Sequence, residues 1–116
     1  MRWRTKLLGA SNTNVPACAG LYAIGHIDEV MGLPLQNTYV YVGRTDNLRQ
    51  RLDQHSHLNE TNPELAEYVR NNRQRVRAWF ATDIDQSQLQ STEKQLIRLL
   101  KPGCNKIHYR NTENTT

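Results

Sequence analysis

Residues 39–55, YVYVGRTDNLRQRLDQH, change their hydrophobic period at a single point. Up to Gly43 the residues alternate as a strand requires, with Val40 and Val42 on one side and Tyr39 and Tyr41 on the other. From Leu48 the apolar residues recur at helical spacing, as Leu48 and Leu52. Asn47 is placed to cap that helix, because its side-chain oxygen can accept from the first free amides. A strand must therefore end near Gly43 and a helix begin almost at once. Arg51 and His55 stand one turn apart on the same helix face, so both can reach one point. The corner concentrates two tyrosines, a glycine, an arginine and a histidine.

The other elements follow from the same rules. GLYAIGHI, residues 20–27, predicts a strand with Leu21, Ala23 and Ile27 on one face and Tyr22, Ile24 and His26 on the other. The link at 28–37, DEVMGLPLQN, is expected to be the long loop of an antiparallel hairpin. NPELAEYVRNN predicts a helix capped by Asn62, with Pro63 at its first position. RVRAWFA predicts a third strand with Val76, Ala78 and Phe80 inward. A last helix is expected from Ser87, where Ser87 and Gln90 fit a capping box, and it must end before Pro102 and Gly103. Residues 1–15 read as polar and irregular, with Arg2, Arg4 and Lys6 as a small basic arm. Residues 109–116 read as a polar tail. The expectation is one α+β domain over residues 1–116, with its core at about 16–107. Its sheet is small, three-stranded and mostly antiparallel, and helices flank it.

At 116 residues the chain can bury one modest core. Fifteen Lys and Arg against eleven Asp and Glu give a net charge of +4, which is compatible with nucleic acid and equally with a solvated basic face. Cys18 and Cys104 do not have metal-site spacing and read as thiols of a reducing compartment. No apolar run has the length of an export signal or a membrane span, so an intracellular, cytoplasmic protein is expected. His26, His55, His57 and His108 form no zinc signature. No P-loop pattern is present, and no local sequence pairs a cysteine with a histidine as a nucleophile.

Some residues sit awkwardly in a purely structural reading. The last helix has an apolar stripe at Leu89, Leu96, Ile97 and Leu100, yet the stripe position between them holds Glu93. An inward carboxylate must be paired or bind a metal. A salt bridge to an arginine at the edge of the core and a metal ligand both satisfy that need. Arg51 and His55 fit a solvated basic face, or an anion clamp in which the guanidinium fork matches phosphate oxygens. Tyr22 and Tyr41 fit two amphipathic rings covering a sheet, or a pair of hydroxyls over one point. Gly43 fits a sharp exit from a strand, or the close approach of a ligand backbone.

Taken in order, these residues resemble the GIY-YIG nuclease family. Gly20, Leu21 and Tyr22 resemble the first half of its name motif, and Tyr41, Val42 and Gly43 the second. Arg51 follows in the next helix where the family has its arginine. His55 stands where a histidine or tyrosine is common, and Glu93 stands where the family has its metal-binding glutamate. Asn105, in KPGCNK, resembles the asparagine just beyond that helix, and Arg44 a frequent basic residue after the glycine. The resemblance covers about residues 16–107. The 28–37 segment makes the spacer between the two half-motifs longer than is usual, and the appended DNA-binding domain of many members is not expected here.

The resemblance implies a metal-dependent endonuclease that hydrolyses phosphodiester bonds of DNA, one strand per site. Glu93 would hold one Mg²⁺ or Mn²⁺. Arg51 would neutralise charge on the phosphoryl oxygens. Tyr22 or Tyr41 would orient or deprotonate water, with Arg44 and His55 as cationic neighbours, and Asn105 would position the helix end or a ligand. Arg70, Arg73, Arg75 and Arg77, with Arg2, Arg4 and Lys6, would contact backbone phosphates. The other classes are a catalytically inactive nucleic-acid-binding module and a protein-interaction module on the same fold. The presence of both tyrosines, Arg51, His55 and Glu93 favours the enzyme.

Overall fold

Antiparallel pairing of the two alternating runs forms the centre of the molecule. The computed structural model describes residues 1–11, 14–56 and 62–105; the tail at 109–116 and the histidines at 57 and 108 lie outside them. In chain order the elements are β1 (Arg4–Leu7), β2 (Gly20–Val30), β3 (Leu33–Thr45), α1 (Leu48–Ser56), α2 (Pro63–Asn71), β4 (Arg77–Ala81) and α3 (Leu89–Leu100). The strands form one sheet in the order β1-β4-β2-β3, and every neighbouring pair is antiparallel.

The sheet thus has four strands rather than the three expected. The extra one, β1, comes from the stretch read as irregular. It pairs Arg4 with Phe80 and Leu7 with Arg77. It is an exposed edge strand, so it shows no inward apolar alternation, and backbone bonds to β4 hold it. The basic arm is tied down with it. Lys6 Nζ donates to the carbonyls of Ala10 (2.8 Å) and Ser11 (2.9 Å), and the Arg4 guanidinium lies 4.8 Å from the Phe80 ring centre.

The 28–37 segment is not a long loop. β2 and β3 stay paired out to Val30 and Leu33, making a projecting ribbon. Met31 and Gly32 turn the chain with φ of 53° and 84°, the two positive values that a tight hairpin turn requires.

A bulge alters the expected face pattern. Ile24 pairs with Tyr41 and Gly25 with Tyr39, which leaves Val40 as an extra residue. Tyr41 and Val40 therefore face the larger core, while Tyr39 and Val42 face the opposite side.

Each sheet face carries its own helix layer. On one face Tyr22, Ile24, Ala78 and Phe80 meet Leu48 and Leu52 of α1 and Leu65 of α2, all buried. Burying each of those leucines contributes about 1.5–3 kcal/mol, and so fixes the roll of both helices. On the other face Ala23, Val42 and Trp79 meet Ile97, with Leu96 half-buried beside them. Leu100, expected on that stripe, is 41% exposed. The start of α3 also differs from the expected Ser87 box. A 3₁₀ turn, Gln86–Gln88, is capped by Asp85 and leads into α3 at Leu89.

Candidate active site

Tyr22 is set by what stands across from it. It pairs with Gly43 on β3, and a Cβ at position 43 would lie 2.6 Å from the phenol's Cζ and Oη. Only glycine leaves room for the ring there. Burial of Leu48 and Leu52 turns Arg51 and His55 of α1 toward the same corner.

The phenol oxygen of Tyr22 is the hub. His55 Nε2 lies 2.8 Å from it, and Arg51 Nε donates to it at 3.2 Å. Arg51 Nη1 also donates to Gln54 Oε1 at 2.9 Å, a second tie on the guanidinium. The Tyr41 ring is 5.9 Å from that of Tyr22 and 5.4 Å from that of His55, centre to centre. The structure brings Tyr22, Tyr41, Arg51, His55 and Gly43 together; Glu93, expected to complete the same site, is paired with Arg44 instead and does not join this hydrogen-bonded cluster.

The members of this cluster differ in access. Tyr22 is 1% exposed and His55 is fully buried, whereas Tyr41 and Arg51 are half-buried. Burial raises the Tyr22 phenol well above its usual range, Tyr41 adds to the shift, and Arg51 opposes it. Tyr22 is thus a neutral phenol across the physiological range. Burial works against the charge of Arg51, but Tyr22 and Tyr41 more than offset it, so its pKa rises and it stays a cation.

Glu93 has a different neighbour. Four residues from both Leu89 and Ile97, it lies on the inward side of α3, with its side chain 13% exposed. Its Oε1 lies 3.4 Å from Arg44 Nε, and the Arg44 side chain is 46% exposed. Arg44 pairs with Leu21, one residue along from the Tyr22–Gly43 pair. Successive strand residues alternate in face, so Arg44 belongs to the α3 side and Tyr22 to the α1 side. Among the described residues no three His, Cys, Asp or Glu side chains gather as a metal cage. A single carboxylate suits an ion that keeps waters and takes phosphate oxygens from a substrate, as Mg²⁺ does.

Asn105 grips the strand that carries the corner. It is 1% exposed; its Oδ1 accepts from the Val42 N–H (2.8 Å) and its Nδ2 donates to the Val42 carbonyl (2.9 Å). One amide side chain therefore imitates a neighbouring strand at the free edge of β3, between Tyr41 and Gly43.

The arginine run divides. Arg70 and Arg73 are exposed at and after the end of α2, and Arg75 is exposed near Tyr68. Arg77 instead donates from Nε to Thr5 Oγ1 at 3.2 Å, joining β4 to β1.

Two features escaped the sequence reading. Gln54 orients Arg51, and their spacing of three on one helix is a signal that could have found it. His26 bridges Tyr68 Oη (2.6 Å, at Nδ1) and Asp28 Oδ1 (3.1 Å, at Nε2), which ties the ribbon's base to α2; that link depends on a contact 42 residues apart.

No helix among the described residues is long and apolar enough to cross a membrane. No curated protein and no solved structure matches the chain. The family model of the GIY-YIG catalytic domain matches residues 18–108, which span every element from β2 to α3 and each residue of the Tyr22 hub. With the half-motifs paired across one ladder and the arginine and histidine joined to the first tyrosine, the chain belongs to the GIY-YIG nuclease family, whose substrate is nucleic acid.

Proposed function

We propose that this chain is a metal-dependent endonuclease that hydrolyses phosphodiester bonds of DNA, cutting one strand per site. The observation that carries the reading is the hydrogen-bonded hub of Tyr22, His55 and Arg51 with Tyr41 alongside. A guanidinium is held there against two phenols in a half-buried corner, which suits stabilisation of charge on a phosphate.

Differences in access support a division of roles. Tyr41 is the tyrosine that water and substrate can reach, so it orients the attacking water and relays its proton: the phenol releases its own hydroxyl proton to solvent and takes up the one the water loses. Tyr22 keeps its own proton and fixes Arg51 and His55. His55 has no surface for a substrate and acts as a positioning residue through Tyr22. Arg51 keeps its charge and presents its remaining N–H groups to the phosphoryl oxygens. Glu93 would hold the divalent ion, Mg²⁺ or Mn²⁺, which supplies Lewis acidity and stabilisation of the leaving oxygen. Arg44 already stands beside that carboxylate, its Nε 3.4 Å from Oε1. Asn105 holds Val42, and with it Tyr41 and Gly43, in register.

One observation favours a second reading, a nucleic-acid-binding module that does not cut. The Glu93 carboxylate is already paired with a guanidinium, as a purely structural carboxylate would be. Incubation of supercoiled plasmid with Mg²⁺ or Mn²⁺, with and without chelator, separates the two. Nicking that chelator stops supports the enzyme. Plasmid binding without nicking in either metal supports the module.

A further inference from the structure

Behind the hub lies a cleft of about 560 Å³, within the range of small-ligand sites. Its apolar lining includes Leu8, Ala66, Val69 and Val76, and its rim carries Arg70 and Arg73. Among the described residues no carboxylate lines it. Ser56 stands at one wall with the buried His55 behind it, so the end of α1 belongs both to the hub and to the cleft. Leu8 and Val76, at the back, are both buried and joined by a backbone bond, Leu8 N–H to the Val76 carbonyl at 3.0 Å.

An apolar slot with two guanidinium groups at its mouth fits a nucleotide better than a purely apolar ligand or a bare anion. A nucleobase can occupy the slot, and its flanking phosphates meet the arginines. The distance fits as well. Arg51 and Ser56 are five residues apart on α1, about 7.5 Å along the axis, so the cleft opens close to the hub on the same helix. Resting on the nuclease reading above, we propose that the cleft is a subsite for one unstacked nucleobase of the bound DNA strand, near the scissile phosphate. Arg70 and Arg73 hold the phosphates on either side of it. The subsite would favour single-stranded or locally opened DNA, because a paired base cannot enter a slot.

The test compares two single strands with the same number of phosphates, an oligothymidylate and a fully abasic strand. Their affinities are measured by fluorescence anisotropy in chelator, so that no strand is cut. The wild-type chain is expected to bind the base-bearing strand on the order of tenfold more tightly. Gly9 lines the cleft, and a Cβ there would meet nothing within 4 Å, so Gly9→Leu plugs the slot on an exposed turn without disturbing the fold. That variant is expected to bind both strands alike, at the abasic level, with an unchanged melting temperature. Ala66→Leu, from the opposite wall, is expected to do the same should Gly9→Leu fail to fold. Arg70→Gln with Arg73→Gln should weaken both strands together and leave their ratio intact. Equal affinity of the wild type for both strands, or a plugged variant that keeps the wild-type ratio, overturns the subsite. If the chain nicks plasmid yet shows no ratio, the subsite alone falls. If it binds neither strand, the nucleic-acid reading falls with it.

Discussion

Tyr22 and Gly43 face each other across the β2–β3 ladder so closely that a methyl group on Gly43 would touch the phenol oxygen at 2.6 Å. The hydroxyl that Arg51 and His55 share is therefore positioned by the absence of a side chain. Gly43→Ala removes no functional group, yet it must push a buried, rigid ring off its place. A shift of about 1 Å in a catalytic corner can cost on the order of 10² in rate. Single-turnover cleavage by Gly43→Ala is expected to fall by that order, with a lower melting temperature and little change in DNA affinity. A variant with normal rate and stability would show that the ring is free to move.

The two tyrosines should separate under substitution. Tyr41→Phe leaves the buried hub intact, so its stability should stay within about 0.5 kcal/mol of wild type. Its cleavage rate should fall by about 10² or more, as for loss of proton transfer. Tyr22→Phe leaves Arg51 Nε and His55 Nε2 without their shared partner, at a cost of about 1–3 kcal/mol, and lowers the rate as well. Urea unfolding and single-turnover kinetics on both variants check this. Similar stability losses in both would contradict the assigned roles.

Arg51→Lys keeps the charge but gives up the fork that reaches Tyr22 and Gln54 at once. The cleavage rate is expected to drop by on the order of 10² or more. DNA affinity should hardly change, because exposed Arg70, Arg73 and Arg75 remain. Rate and affinity measured on one preparation at one salt concentration decide the matter. A collapse of affinity with a normal rate at saturating protein would make Arg51 a binding residue only.

Stability should decline in alkali. Burial raises Tyr22 well above the usual phenol value and raises Tyr68 to about 12. Above pH 10 the unfolded chain loses those protons while the folded chain keeps them. The folded state then binds more protons, so the unfolding free energy falls as pH rises. The stability these phenols contribute is complete below about pH 10 and is lost as pH climbs through the folded values. Urea midpoints measured from pH 8 to 11 should be flat at first and then fall, and Tyr22→Phe should show a shallower fall. A slope already present between pH 8 and 9 would contradict this origin.

Local pattern disclosed much of this molecule, and its misses have physical causes. The corner at Gly43, the helix with Leu48 and Leu52, and the inward set Val76, Ala78 and Phe80 all follow from period and capping, and all hold. β1 was hidden because an exposed edge strand is specified by its partner's backbone, which a local stretch of sequence does not contain. The faces of Tyr39 and Tyr41 were misassigned because one bulged residue, Val40, resets the alternation. The ribbon read as a loop because the sequence of its paired arms alternates weakly outside any core. Asn105 was assigned to the site from its place after the last helix, but its grip on Val42 spans 63 residues and no local rule gives it.

The most direct test concerns Glu93. Glu93→Gln keeps the volume of a nearly covered side chain but removes the carboxylate, and with it the pairing to Arg44. Supercoiled plasmid nicking by wild type and Glu93→Gln, in Mg²⁺ and in Mn²⁺ at protein concentrations giving equal DNA occupancy, is the measurement. The account predicts chelator-sensitive nicking by the wild type and none by a folded, DNA-bound Glu93→Gln. Nicking by Glu93→Gln at the wild-type rate would contradict it.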